Sequence, residues 1–254
     1  MSGIDRTQID GAPATAEELE RVSSAYGHFT AMQVRGGATR GLDLHLRRVA
    51  DTNRERFGTE LDRERLRGLI RSALGGEQDA SVRVYLYDAS PEPRIVVTAK
   101  PPAELVSPQR LRSVRYQRPD ARLKHLRTEQ GRYREEVQRE GYDDALLTGD
   151  DGVVSETSMT NIGFFHRDSV VWPDAPLLHG VTMQLLEERL PERGVTFRRE
   201  RIRVADLATL DGAFLSNARG IAAVGAVDDV ELMIDPDRMR LLLDTYVAVP
   251  WDPI

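Results

Sequence analysis

The chain has 254 residues, enough for one large domain or two modest ones. Hydrophobic residues make up 40% and charged residues 30%, which suits a folded globular protein and excludes a disordered one. A formal charge of −6 argues against nucleic acid as the main partner, and the absence of cysteine excludes disulfides, thiolate metal sites and a cysteine nucleophile.

The opening stretch MSGIDRTQIDGAPATAEELE has no apolar core, and no apolar run approaches a membrane span. A cytoplasmic location is therefore expected, with neither membrane nor nucleic acid as partner. ATAEELERVSSA predicts a short helix. FTAMQVRGGATRGL predicts a strand, a Gly-Gly turn and a second short strand. LDLHLRRVADTNRERF predicts a helix with Leu42, Leu46, Val49 and Phe57 on one face. LDRERLRGLIRSAL predicts another, ending at Gly75-Gly76. SVRVYLYDA and PRIVVTAK read as β-branched strands joined by a Pro-containing turn. Strands and helices do not alternate strictly, so the fold class expected is α+β rather than a doubly wound sheet. PPAELVSPQ is a linker candidate by its prolines and polarity. A strand, RLRSVRYQ, follows, then Lys124, then the charged helix RTEQGRYREEVQREG, read as a solvated face. YDDALLTGDDGVVSETSMTNIGFFHRDSVVWP predicts three or four strands with tight turns at 149–152 and 166–168. The loop DAPLLHG leads into the helix VTMQLLEERLPERG. Then come a strand VTFRRERI, a short helix VADLATLD, a strand GAFLSNA, two short strands in GIAAVGAVDDVEL, and a terminal helix DPDRMRLLLDTYVAV. So many short strands suit a distorted barrel.

Of the 35 Lys+Arg residues, only Lys100 and Lys124 are lysines; the other 33 are arginines. Arginine supplies a fixed positive charge, whereas lysine can lose its proton and attack a carbonyl. The scarce lysine in DARLKHLRTEQ is therefore a candidate nucleophile; a solvated surface lysine left by compositional bias is the alternative. A lysine nucleophile needs a carbonyl partner, and pyridoxal phosphate is a common one. It requires donors for its phosphate and a partner for its pyridine nitrogen. HGVT at 179–182 enters a helix, where free N–H groups and the macrodipole suit an anion; an ordinary helix start is the alternative. Glu156 in VVSETSMTNIGFF follows two valines, which turns it inward toward a ring nitrogen, or else leaves it as a surface turn residue.

These segments occur in the order found in a known family. From YGHFTAMQVR to SNARGIAAV, the chain resembles the class IV aminotransferases, the fold-type IV pyridoxal-phosphate enzymes. HLRRV resembles the H-x-x-R-L motif and makes Arg48 the phosphate-binding arginine, with Arg47 its neighbour. RLKHL resembles the segment holding the Schiff-base lysine, which gives Lys124 that role, and its L-K-H-L form is closest to the 4-amino-4-deoxychorismate lyase branch. VVSETSMTNIGFF is similar to V-x-E-x-x-x-x-N-[IL]-F, which makes Glu156 the pyridine-nitrogen partner and Asn161 the motif asparagine; Gly163 replaces the phenylalanine. LLHGVTMQLL resembles L-P-G-I-T-R-x-x-[IL], so the amides of Val181 and Thr182 would bind phosphate. FLSNARGIAAV corresponds to the segment that closes over the phosphate, with Asn217 or Ser216 substituting for a threonine at Ala218. Departures stand at His179, Met183 and Ala218.

The resemblance implies two α/β domains with the cofactor in the interdomain cleft. A smaller N-terminal α+β domain is expected at 1–107, a linker region at 108–118, and a larger C-terminal domain carrying the lysine at 119–254. It further implies pyridoxal 5'-phosphate, a small-molecule amino donor, a 2-oxo acid acceptor and a homodimer. Lys124 and Glu156 are the expected catalytic residues. Tyr26, His28 and Thr30, with Arg35, lie on the segment implied to approach the substrate. His45 and His166 are read as structural, and His125 as a helix-entry histidine. Aminotransfer is the activity expected. The alternatives are a 4-amino-4-deoxychorismate lyase releasing pyruvate and 4-aminobenzoate, and an inactive relic of the fold.

Overall fold

Backbone chemistry sets the ends of most elements. In the computed structural model, which describes residues 4–87, 92–126 and 128–254, two short strands, β1 (Arg6–Ile9) and β2 (Ala12–Pro13), precede helix α1 (Ala16–Ser24). Thr15 and Glu18 cap α1 reciprocally. Strand β3 (Gly27–Val34) turns through Gly36 and Gly37, both at positive φ, into β4 (Ala38–Arg40). Helices α2 (Leu42–Phe57) and α3 (Arg63–Leu74) follow; Asp62 caps α3 and Gly75 ends it in the left-handed conformation. Strands β5 (Ala80–Tyr87) and β6 (Arg94–Lys100) complete this half. The turn expected between them falls on 88–91, outside the described residues.

Next come β7 (Gln109–Arg115) and α4 (Gln130–Arg139); Arg127, expected to begin that helix, lies outside the described residues. The predicted strand-rich segment forms β8 (Asp144–Thr148), β9 (Val154–Thr157), β10 (Asn161–His166) and β11 (Ser169–Pro173). Helix α5 (Val181–Arg189) tightens into a 3-10 turn, Leu190–Arg193, where Pro191 lacks a backbone donor. After β12 (Thr196–Glu200), the expected short helix is a 3-10 segment, Val204–Thr209. Strands β13 (Gly212–Asn217), β14 (Gly220–Val227) and β15 (Val230–Glu231), helix α6 (Pro236–Val247) and strand β16 (Trp251–Pro253) end the chain.

The chain divides into two compact units. The first holds Met1–Ala103, Leu123–Arg127 and Pro250–Ile254. Its sheet has the order β2-β1-β6-β5-β3, and α2 and α3 pack on one face. Met32, Val82, Val84 and Leu86 from the strands meet Leu46, Val49, Leu66 and Ile70 from the helices; each such burial contributes about 1.5–3 kcal/mol. Residues 123–126 lie along the outer edge of β3. The Phe29 amide donates to the Lys124 carbonyl at 2.8 Å, and the Leu126 amide to the Gly27 carbonyl at 2.8 Å. Lys124, expected in the C-terminal domain, thus packs with the N-terminal elements.

The second unit holds Glu104–Arg122 and Thr128–Val249. Its mixed sheet runs β12-β11-β10-β13-β14-β7-β8-β9, with β15 on β14. The two ends meet just past β12: the Val154 amide donates to the Ile202 carbonyl at 2.8 Å, and Val153 bridges Arg203. The sheet therefore closes on itself as a distorted barrel. The stretch 108–118, expected to link, contains β7, which is paired on both sides. Ile162, Phe164, Val171 and Leu215 fill one core cluster; Trp172, Met183, Leu186, Phe214 and Leu242 fill another. At Gly163 a Cβ would fall 2.4 Å from the Phe214 ring and 2.8 Å from Trp172, so these aromatic rings leave no room for a side chain.

Candidate active site

Lys124 is half-buried, and its backbone is fixed by the β3 edge. Its Nζ lies 4.8 Å from the Phe29 ring centroid, and Phe29 stacks on Tyr85 at 5.4 Å. Helix α2 presents His45 and Arg48, one turn apart, to the same region. The Arg48 Nη2 donates to Thr30 Oγ1, which lies 2.7 Å from His45 Nδ1. Burial, then the charges of Arg48 and Lys124, push the His45 imidazole well below its usual pKa. Burial and Arg48 lower His28 to about 4. Both rings are therefore neutral near pH 7. Burial also lowers Arg48, to about 10. No carboxylate pairs with Arg48 among the described residues, and its buried Nε has no hydrogen-bond acceptor. Arg48, with no acid partner among the described residues and two neutral imidazoles beside it, suits an anion. Lys100 differs: its side chain is 60% exposed and lies 4.0 Å from Asp5, an ordinary surface ion pair.

In the second unit, Glu156 sits on β9 with 7% of its side chain exposed, facing Arg118 at 4%. Its Oε1 accepts from Arg118 Nε at 2.8 Å, and its Oε2 from the Leu178 amide at 3.2 Å. Arg118 Nη2 also donates to the Ala121 carbonyl. A carboxylate offers about four acceptor positions, so both oxygens keep spare lone pairs. Asn161 Nδ2 donates to the Leu178 carbonyl at 2.6 Å, and its Oδ1 lies 2.1 Å from where a Gly180 Cβ would stand. Glycine is thus required before α5. No side chain caps α5, so the Val181 and Thr182 amides stand at a bare positive helix end. The Thr182 hydroxyl donates to the Asn217 carbonyl at 2.8 Å. Asn217 Nδ2 donates to the Met159 carbonyl at 3.2 Å, and its Oδ1 accepts from the Arg219 amide at 2.7 Å. Ser216 Oγ is buried without a partner. Buried Asp144 accepts from Thr157 and Ser158, which braces the turn between Glu156 and Asn161; burial raises its pKa.

The first unit therefore brings together Lys124, Arg48, Thr30 and His28, and Tyr26 stacks on His125 at 6.3 Å. The second brings together Glu156, Asn161, Val181, Thr182 and Asn217. Thr30 and His28, expected on the substrate side, are only 0% and 1% exposed, and the Thr30 hydroxyl is occupied by Arg48 and His45. Of the departures, Met183 packs in an apolar cluster, and His179 Nε2 turns to Glu187 at 2.6 Å. Sequence reasoning passed over Arg118 and left His45 as structural. Nothing in a chain with 33 arginines singles out Arg118, but the three-residue spacing of His45 and Arg48 is a signal that could have paired them.

A sequence profile of the family Amino-transferase class IV matches residues 27–227. The chain belongs to the class IV aminotransferases. A probable branched-chain-amino-acid aminotransferase of Rickettsia felis is 29% identical over 100 residues, which is 39% of this chain and 34% of that protein. The match thus spans about a third of the curated relative's length. Among solved structures, a hypothetical aminotransferase from Mycobacterium tuberculosis in its PLP-bound form superposes with a TM-score of 0.80 at 21% identity, covering 96% of this chain and 99% of that one. A Legionella pneumophila protein provisionally assigned as a 4-amino-4-deoxychorismate lyase gives a TM-score of 0.77 at 19% identity, covering 89% and 93%. These likenesses show the fold, the α+β fold-type IV architecture, for this class IV aminotransferase family member.

Proposed function

We propose that the chain is a pyridoxal-phosphate-dependent aminotransferase that moves an amino group between an amino acid or amine and a 2-oxo acid. The supporting observation is the Lys124 amine, near His45, together with a half-buried Arg48 that no carboxylate neutralises among the described residues. An aldehyde with an anionic tail fits such a pair, and the uncapped start of α5 offers further phosphate donors. When bound, pyridoxal phosphate supplies the aldehyde that takes up the amino group and a pyridine ring that withdraws electrons. In this reading, Arg48 and the Val181 and Thr182 amides hold the phosphate. Asn161 and Asn217 act through the backbone, keeping the 178–180 loop and the 157–160 turn in place. Glu156 holds the proton on the ring nitrogen, and Arg118 keeps its carboxylate oriented. Lys124 would be the amine that holds the cofactor's aldehyde carbon and, once set free by the incoming amine, the general base for the proton on the substrate α-carbon. Tyr26 serves as a substrate contact, with His28 and Thr30 behind it. The active form is a homodimer.

The L-K-H-L run around Lys124 favours a second reading, a 4-amino-4-deoxychorismate lyase. One assay separates them. The purified protein with added pyridoxal phosphate is given amino donors with pyruvate or 2-oxoglutarate, and separately aminodeoxychorismate alone. Amino-group transfer to the oxo acid supports the first reading. Pyruvate and 4-aminobenzoate formed without an acceptor support the second. A protein that turns over neither mixture, whether or not it takes up the cofactor, would be the inactive relic.

A further inference from the structure

The guanidinium of Arg48 is held in place by a chain of hydrogen bonds whose direction can be read. A guanidinium carries donors only, so Thr30 Oγ1 must accept from Arg48 Nη2. The Thr30 proton then has His45 Nδ1 as its acceptor, 2.7 Å away. Arg48 Nη2 also lies 3.4 Å from that nitrogen, so a proton on Nδ1 would set donor against donor. His45 therefore carries its proton on Nε2, in keeping with its buried, neutral ring. The order is Arg48 to Thr30 to His45, with Thr30 and His45 at 0% and 3% exposure. What remains on Arg48 includes a buried Nε–H with no acceptor. We infer that Thr30 and His45 are positioning residues that fix which N–H groups of Arg48 face the anion, and so set the preference for a phosphorylated ligand. This rests on the proposed function in taking pyridoxal phosphate as that ligand, and it moves Thr30 from substrate contact to support of the phosphate arginine.

The test compares two ligands that differ only in the phosphate. The protein freed of cofactor is titrated with pyridoxal 5'-phosphate and with pyridoxal, and the ratio of the two Kd values is read. Wild type is expected to prefer the phosphorylated ligand strongly, and Arg48→Leu to lose that preference. Thr30→Val, which keeps the side-chain volume, and His45→Leu should each reduce the ratio by about tenfold while the Kd for pyridoxal holds, because a hydrogen bond to a charged group is lost. Thr30→Ser and His45→Asn keep the hydroxyl and an acceptor near the Nδ1 position, and should stay within about threefold of wild type. Thermal unfolding of each apo-protein checks folding. Thr30→Val and His45→Leu leaving the ratio unchanged, or weakening both ligands equally, while Arg48→Leu abolishes it, would overturn the inference and leave the proposed function standing. A wild-type protein with no preference for the phosphate would remove the proposed function and the inference with it.

Discussion

Around Glu156 the protein neutralises its own buried charge, and around Arg48 it does not. Arg118 and the Leu178 amide occupy one position on each Glu156 oxygen, so that cluster is complete as a piece of structure. Arg48, with two depressed histidines beside it, has no acid partner among the described residues. A buried pair stabilises its surroundings only while both partners are present. A half-buried cation without an acid partner costs stability until something external pairs with it. The difference separates residues whose loss unfolds the protein from residues whose loss only unloads it.

The largest effect is expected at the nucleophile. Lys124→Ala and Lys124→Arg should both lower turnover by about 10³-fold or more, since a guanidinium cannot replace a free amine; steady-state kinetics of whichever reaction is found would measure it. Arg118→Met strands the Glu156 carboxylate and should cost about 3–5 kcal/mol in a denaturant titration. Arg48→Met should behave in the opposite manner. Cofactor affinity should fall by about 10- to 100-fold, while the apo-protein melts at the same temperature or higher, because an unpaired charge has been removed. Equal destabilisation by the two methionine variants would erase the contrast. Acid should expose the histidines next. A His whose folded pKa is depressed binds its proton in the unfolded chain first, so stability falls as pH drops from 6.5 toward about 4, the window of His28. His45 acts in the same direction. Unfolding free energy followed across that range should fall less steeply in His28→Asn. The smallest effect belongs to Lys100→Ala, expected within about 0.5 kcal/mol of wild type because its ion pair is exposed.

Much of this was legible before any coordinates. The apolar spacing of Leu42, Leu46 and Val49 gave α2, and the β-branched runs gave β5 and β6. The bias against lysine pointed to Lys124, and the two valines before Ser155 pointed Glu156 inward. Strands β1, β2 and β16 were not legible: they are short, and β1 and β16 pair with partners far along the chain, β6 and β4. The linker region placed at 108–118 by the resemblance holds β7, which takes its place in the sheet through β14, more than a hundred residues later. Thr30 was read from its place in a motif. Its hydroxyl partners, Arg48 and His45, come from the next helix, and only tertiary packing reveals them.

The most direct measurement is borohydride reduction of the protein loaded with pyridoxal phosphate, followed by peptide mass mapping. The account predicts one pyridoxyl adduct, on the peptide carrying Lys124, and none in Lys124→Arg. An adduct on Lys100, or no adduct at saturating cofactor, would contradict it.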